Sequence, residues 1–129
     1  IKNGRVYSTD ICVPISNITE CVNFAEEQAE KFGLRAPMVG HLGDGNFHVI
    51  LPYDPAKKEM YERIREFNDL LIKKGLELNG TITGEHGVGL HKKKYLLEQH
   101  ADNMPVMKSI KRTLDSNNIM NPGKIFDLN

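Results

Sequence analysis

The sequence predicts an α+β fold of ferredoxin-like type, an antiparallel sheet with helices packed on one face and further helices at the C-terminus. The first observation is the order of the predicted elements, which is strand, helix, strand, strand, helix, a short extended segment and two helices. The second is Asp44-Gly45, which stands between two apolar runs. An Asp-Gly pair in that position is a strong signal for a two-residue β-hairpin, because a type I′ turn needs positive φ at both central residues.

The first strand is predicted at residues 6–15, where β-branched and aromatic residues are frequent. A helix follows over 18–33, with Ser16 or Asn17 as its N-terminal cap and Gly33 as its end. Its apolar residues recur at helical spacing, and they are Ile18, Cys21, Val22, Ala25, Ala29 and Phe32.

Strands at 38–43 and 46–53 form the predicted hairpin, and a second helix covers 54–80. The apolar stripe of that helix consists of Met60, Ile64, Phe67, Leu70, Leu71 and Leu78. A glycine-broken extended segment follows. Two helices, at 92–100 and 104–118, precede a final turn and tail. The run of lysines at 92–94 is interpreted as the solvated start of a helix.

Length, charge balance and cysteine count limit the classes of protein to which this chain can belong. The 129 residues suit one compact domain, and 17 Lys plus Arg balance 17 Asp plus Glu. This charge balance argues against a nucleic-acid partner. Only two cysteines are present, without a C-x-x-C pair, so we interpret Cys12 and Cys21 as free thiols in a reducing compartment. We therefore expect a cytoplasmic protein, with peripheral attachment to the inner face of the membrane left open.

The predicted hairpin places two histidines together. With Asp44 and Gly45 as the loop, His41 lies directly opposite His48, so both imidazoles point to one face of the sheet. Leu42 and Phe47 then pair on the other face, which is expected to be the core. Two adjacent imidazoles are half of a metal site. A cross-strand histidine pair without a metal is the alternative interpretation.

The segment "GTITGEHGVG" supplies the remaining candidates. Glu85 is the candidate third ligand, because two histidines and a carboxylate leave coordination positions open for water or substrate. Zinc is the metal that this ligand set favours first, and manganese or iron would accept the same side chains. A kinked loop would bring His86 beside the metal without ligation, where a neutral imidazole is a good general base. A plain irregular loop is the alternative.

Four motifs in order resemble a known family: "GHLGDGNFH", "GTITGEHGVG", "KKKYL" and "IMNPGKIF", with "TDICVPIS" also matching. They look like the C-terminal part of the FAD-linked oxidases related to vanillyl-alcohol oxidase. Among these, the chain most resembles the D-lactate dehydrogenases, the flavin subunits of glycolate oxidase and the D-2-hydroxyglutarate dehydrogenases. Residues 1–129 are then one domain, the C-terminal part of the substrate (cap) domain of a longer flavoenzyme whose FAD-binding domain is absent here.

The resemblance implies roles for individual residues. His41, His48 and Glu85 would hold a divalent ion, and His86 would take the hydroxyl proton of a 2-hydroxy acid. Asn121, and with it Asn46, would lie at the FAD cofactor. The activity implied is oxidation of a small D-2-hydroxy acid, D-lactate or glycolate, with hydride transfer to FAD. This chain alone is expected to be inactive, and its partners would be the FAD domain and an iron–sulfur or membrane electron acceptor.

One departure bears on the substrate. In hydroxyglutarate-type members an asparagine stands two residues after the second histidine, where this chain has Ile50. The resemblance therefore leans towards a monocarboxylic substrate. Two rival functions stay open at the level of the sequence. One is a free-standing ferredoxin-like metal-binding module without catalysis. The other keeps the fold without the metal, and its histidines contact flavin or substrate directly.

Overall fold

The computed structural model describes residues 4–128. The chain divides into two compact units, Ile1–His86 and Gly87–Asn129, and each is described by itself. The first unit holds the sheet, the two longer helices and the Glu85-His86 segment. The second holds two shorter helices and the tail.

The sheet has four antiparallel strands, β1 (Arg5–Ser8), β2 (Ile11–Cys12), β3 (Met38–His41) and β4 (Asn46–Tyr53). The central strand β4 pairs with β1 and β2 on one side and with β3 on the other. An isolated antiparallel bridge joins Cys12 to Thr81 beyond β2. The spatial order is therefore the one expected of a ferredoxin-like sheet, and the predicted α+β class is confirmed.

The predicted first strand is divided at Thr9 and Asp10. Ser8 pairs with Ile50 and Ile11 with Phe47, so the register continues across the gap. The side chain of Thr9 takes part in the ladder there, because its Oγ1 accepts the backbone N–H of Val49 at 2.8 Å. β2 ends at Cys12, with one further backbone hydrogen bond from Val13 to Gly45, so the prediction that the strand runs to residue 15 was wrong.

Strand alternation divides β4 between two environments. Phe47, Val49 and Leu51 are buried in the apolar core. Asn46 and His48, which point to the opposite face, are also buried although they are polar. Alternate residues of a strand point to opposite faces, so one strand supplies both the core and a polar cluster.

Helices α1 (Ile18–Lys31) and α2 (Lys58–Glu77) cover the apolar face. Gly75 of α2 lies so close to the sheet that a Cβ there would stand 2.4 Å from Cδ1 of Ile11. The α1 helix packs beside α2, and the rings of Phe32 and Phe67 meet in a T-shaped contact with their centroids 6.5 Å apart. Most predicted stripe positions are buried or half-buried, whereas Leu70 is exposed.

The predicted side-chain cap of α1 was wrong. Neither helix start has a side-chain capping bond, and the Nδ2 of Asn17 donates instead to the carbonyl of Leu78 at 2.9 Å. Asn17 therefore ties the start of α1 to the end of α2. Positive φ at Asn79 ends α2 as the Asn79-Gly80 pair predicts.

The predicted register of the hairpin was also wrong. His41 lies opposite Asn46, and Val39 lies opposite His48. The loop is a single 3₁₀ turn, Leu42–Asp44, closed by Gly45 at a φ of 76°. This longer turn leaves Leu42 exposed rather than paired with Phe47 in the core. The shift is by two residues in total, so His41 and His48 still point to the same face.

The second unit contains α3 (Lys93–His100) and α4 (Met104–Leu114). Asp115 ends α4 and its carboxylate accepts the backbone N–H groups of Ile119 and Met120. Lys93 donates to the carboxylate of Asp127 at 2.6 Å and to the carbonyl of Gly123. The lysine at the start of α3 is thus tied to the tail. Among the helices of residues 4–128, none is long and apolar enough to cross a membrane.

Candidate metal centre

The candidate site lies on the face of the sheet opposite the helices. β3 contributes His41, and β4 contributes Asn46 and His48. The sheet register places Asp10 opposite His48. The segment after α2 brings Glu85 and His86 against this face, because Thr81 is bridged to Cys12. All of these residues belong to the first unit.

The hydrogen bonds of His48 define its tautomer. Its Nδ1 lies 2.8 Å from the backbone carbonyl oxygen of Thr9. A carbonyl oxygen can only accept, so Nδ1 carries a proton and donates it. In the neutral ring Nε2 therefore has an unshared electron pair. A ring N–H anchored on a backbone carbonyl is also the usual second interaction of a metal-ligating histidine.

The other ring nitrogen of His48 faces a carboxylate. Nε2 lies 2.8 Å from Oε1 of Glu85. A neutral Nε2 and an ionised carboxylate are both acceptors and repel each other at this distance. A positive charge must therefore be shared between them, either a proton or a metal ion. The contact therefore stabilises a cation that lies between the two atoms, whether that cation is a proton or a metal ion.

His41 completes the arrangement. Its Nε2 is 4.0 Å from Oε2 of Glu85, on the other side of the carboxylate. Ligand atoms of a tetrahedral zinc site, with bonds near 2.0–2.1 Å, stand roughly 3.3 Å apart. The distances of 2.8 Å and 4.0 Å lie on either side of that value. The Glu85 carboxylate therefore lies where it could share a cation with either histidine.

The site is open on one side. The His48 side chain is 9% exposed, whereas those of Glu85 and His41 are 49% and 67% exposed. One ligand candidate is thus rigidly held and two can adjust. An open position beside a divalent ion is what a small ligand needs to reach it.

His86 stacks on His48. The ring centroids are 4.7 Å apart and the planes differ by 11°. The segment is kinked as its glycines allow, and His86 lies beside the ligand candidates on the exposed side. Among the described residues, the group of potential ligands whose atoms all lie within 4.8 Å of one another consists of Asp10, His48 and His86, not of His41, His48 and Glu85.

Asp10 is less suited to a metal than the exposed residues. Its carboxylate is buried and accepts four hydrogen bonds, from the hydroxyl of Thr83 and the backbone N–H groups of Gly84, Glu85 and His86. Four donors match the roughly four lone-pair positions of a carboxylate. The oxygens of Asp10 are thus already used, and Glu85 is the better ligand candidate.

Asn46 fills the space beneath the Glu85 segment. Its side chain packs against Gly84 so closely that a Cβ there would stand 2.3 Å from Asn46 Oδ1. That oxygen is buried and has no hydrogen-bond partner among residues 4–128. Asn121, the other residue assigned to the cofactor by resemblance, belongs to the second unit and adopts a positive φ of 46°.

Sequence reasoning missed Asp10. A signal was present, because Asp10 is a charged residue in the middle of a run that otherwise predicts a buried strand. Its partners are more than 70 positions away in the chain. Only the tertiary structure brings them together.

Comparison with known proteins identifies the family. The family model of the FAD linked oxidases, C-terminal domain, matches residues 1–125. A probable mitochondrial D-lactate dehydrogenase of Danio rerio is 39% identical over 125 residues, which is 96% of this chain and 25% of the relative. A D-2-hydroxyglutarate dehydrogenase of Stutzerimonas stutzeri is 39% identical over 134 residues, covering 98% of this chain and 28% of the relative.

A glycolate oxidase subunit of Bacillus subtilis is 39% identical over 118 residues, which is 91% of this chain and 25% of that subunit. The chain thus spans about a quarter of the length of these curated relatives. The match of the family model extends across both compact units and includes every candidate residue described above. The chain belongs to the FAD-linked oxidases and corresponds to their C-terminal domain.

Proposed function

We propose that this chain is the C-terminal part of a flavin-dependent dehydrogenase that oxidises a small D-2-hydroxy acid to the 2-oxo acid with the help of a divalent metal ion. The family supports flavin-dependent oxidation of a hydroxy acid, because its named relatives are dehydrogenases or oxidases of such acids. The FAD-binding domain would be contributed by the same protein outside this chain. The chain by itself is then inactive.

A single contact carries the metal part of the proposal. His48 Nε2 and Glu85 Oε1 are 2.8 Å apart while Nδ1 of the same ring faces a carbonyl. This pair stabilises a cation, and His41 lies within reach of the same carboxylate. His41, His48 and Glu85 would hold the ion. A bound divalent ion supplies Lewis acidity, which orients a chelating hydroxy acid and lowers the pKa of its hydroxyl.

The chain's own residues would then position the substrate and move one proton. The exposed edge of the site, beside Glu85 and His41, admits the substrate. His86 lies next to His48 on this side, so one of its ring nitrogens would accept the hydroxyl proton. FAD, when bound, supplies the acceptor for the hydride. By resemblance to the family, Asn46 and Asn121 would each be cofactor-binding residues.

Ile50 supports a monocarboxylic substrate, D-lactate or glycolate. It follows His48 by two residues on β4, so it points to the same face of the sheet. Its half-buried aliphatic side chain offers no hydrogen bond to a second carboxylate.

We propose zinc as the metal, with manganese or iron as alternatives, and an iron–sulfur or membrane protein as electron acceptor. A cytoplasmic location, peripheral to the membrane or not, is part of this proposal, although several relatives are named as mitochondrial.

The test uses the full-length protein that contains this chain. Metal content by mass spectrometry and turnover of D-lactate, glycolate and D-2-hydroxyglutarate would be measured for the wild type and for His48→Ala. We expect about one divalent ion per chain in the wild type and none in the variant. We also expect kcat/KM to fall at least about 100-fold, since even residues behind the ligands are worth 10–100-fold.

His91→Ala is the matched control, because His91 is an exposed histidine of the second unit. It should keep both metal and activity. A wild type that is active without bound metal, together with an inactive His48→Ala variant, would contradict the metal centre. This outcome would favour direct contact of the histidines with flavin or substrate. Bound metal without turnover of any hydroxy acid would favour the binding module.

A further inference from the structure

We propose that Asp10 is a positioning residue of this centre, which sets Glu85 and His86 in place through their backbone. It is not itself a ligand or a catalytic residue. The inference rests on the proposed function, since it assigns Asp10 a task for the same site. Asp10 lies on the sheet opposite His48, and its side chain is 1% exposed.

The carboxylate of Asp10 gathers the segment that carries both residues. Its Oδ2 accepts the Thr83 hydroxyl at 2.5 Å, the Gly84 N–H at 2.9 Å and the His86 N–H at 3.1 Å. Its Oδ1 accepts the Glu85 N–H at 3.1 Å. Successive backbone N–H groups that converge on one anion form a nest, and bonds to an ionised acceptor are stronger than those between neutral groups.

These hydrogen bonds fix the backbone from which the Glu85 side chain projects. Three consecutive N–H groups on one carboxylate require a kinked backbone at residues 84–86. An extended chain would point Glu85 and His86 to opposite sides. In the kinked segment Glu85 reaches Nε2 of His48 while His86 stacks on the same ring. Asp10 therefore acts on both residues through their backbone N–H groups.

The same carboxylate is close to the rigid ligand candidate. Its Oδ1 is 3.8 Å from Nδ1 of His48, whose proton is donated to the Thr9 carbonyl. The negative charge of Asp10 thus lies behind the ring, on the side away from Glu85. A negative charge near Nδ1 favours a positive charge at Nε2, the ring nitrogen that faces Glu85. Asp10 therefore both positions the segment at residues 84–86 and favours a cation at Nε2 of His48.

The test compares Asp10→Asn with the wild type in the full-length protein. Asparagine keeps the size of the side chain but turns an N–H₂ group towards the hydroxyl of Thr83 or the N–H donors of residues 84–86. We expect the affinity of the metal-free protein for Zn²⁺, measured by calorimetric titration, to fall about 10–100-fold, the range for residues behind metal ligands. Hydrogen exchange at the amides of Gly84, Glu85 and His86 should lose its protection.

Asp115→Asn is the matched control. Asp115 is a buried carboxylate of the second unit that likewise accepts consecutive backbone N–H groups, those of Ile119 and Met120. This variant should lose thermal stability but keep its Zn²⁺ affinity. A role for Asp10 that is only structural would make the two variants behave alike.

If Asp10→Asn does not fold, Thr83→Val removes a single donor from the same carboxylate. It should weaken Zn²⁺ binding between about 2- and 10-fold, the equivalent of one net hydrogen bond. A folded Asp10→Asn with wild-type Zn²⁺ affinity and protected amides at 84–86 would overturn the inference. A wild type that binds no Zn²⁺ would contradict the proposed zinc centre instead, and the exchange measurement would then decide the role of Asp10.

Discussion

The two faces of β4 are buried to a similar extent but by different means. Phe47 is 1% exposed against the helices, and His48, its neighbour in sequence, is 7% exposed on the opposite face. The first is held by apolar packing, which needs only suitable size and shape. The second is held by two directed polar contacts, to Thr9 and Glu85. Burial alone therefore does not distinguish a core position from a site position.

The difference lies in what each face tolerates. An apolar core loses stability in proportion to the contacts removed. A buried polar cluster depends on every partner being satisfied, because one unpaired buried group costs about 1–3 kcal/mol. The helix-covered face should thus respond to changes in volume. The face with the histidines should respond to changes in hydrogen bonding and in backbone position.

The largest expected effect is on the helix-covered face. Phe47→Ala should lower the free energy of unfolding by about 3–5 kcal/mol, the range for a truncated core phenylalanine. Urea denaturation followed by circular dichroism measures it. Val6→Ala on β1 is the control, because Val6 is 61% exposed and its truncation should cost about 1 kcal/mol or less. Equal losses in the two variants would contradict the assignment of the core to this face.

A smaller effect is expected on the opposite face. Gly84→Ala would place a Cβ 2.3 Å from Asn46 Oδ1 and 2.5 Å from its Cγ, so either the buried Asn46 side chain or the segment before Glu85 must shift. We expect a loss of about 1–3 kcal/mol from overpacking, together with weaker Zn²⁺ binding. Gly43→Ala, in the hairpin loop with open space around the new Cβ, should change stability by no more than about 0.5 kcal/mol. Unchanged Zn²⁺ affinity in Gly84→Ala would show that the position of Glu85 does not depend on this contact.

The smallest effect concerns the two free thiols, one on each face. Cys21 is fully buried against α2, and burial raises its pKa to about 11. Cys12, half-buried beside Asn46, also has a raised pKa, because of burial and the nearby charges of Asp10 and Asp44. At pH 8 we expect a thiol reagent to label Cys12 first and Cys21 only after unfolding, as read by mass spectrometry. Labelling of Cys21 first in the native protein would contradict this order.

The raised pKa of Cys21 also predicts that the stability of the folded state falls as the pH rises. A thiol whose pKa is raised on folding favours the folded state below its unfolded pKa, near 8.5. As pH rises from there to about 11, the unfolded state loses its proton first, and stability falls. This loss should be absent below pH 8.

The sequence predicted the elements of the fold well. The strand at 46–53 and the start of α1 at Ile18 agree with the structure, because strand alternation and helical spacing are local properties of the chain. The helices at 58–77 and 93–100 lie within or near their predicted bounds. The register of the hairpin was wrong because the Asp-Gly signal does not state loop length. A 3₁₀ turn over Leu42–Asp44 closed by Gly45 contains the same Asp44-Gly45 pair as the shorter two-residue turn.

For the candidate site, the sequence by itself determined which residue types were available and that His41 and His48 share a face. The prediction of a shared face stays correct after a register error of two residues, because side chains of a strand return to the same face every two residues. The tertiary structure alone decided that Asp10 lies behind His48, that three N–H groups converge on Asp10, and that Nε2 of His48 faces Glu85. These contacts join residues 37 to 76 positions apart. Local periodicity carries no information over such separations, because the contacts form only when the sheet and the segment at 81–86 are packed together.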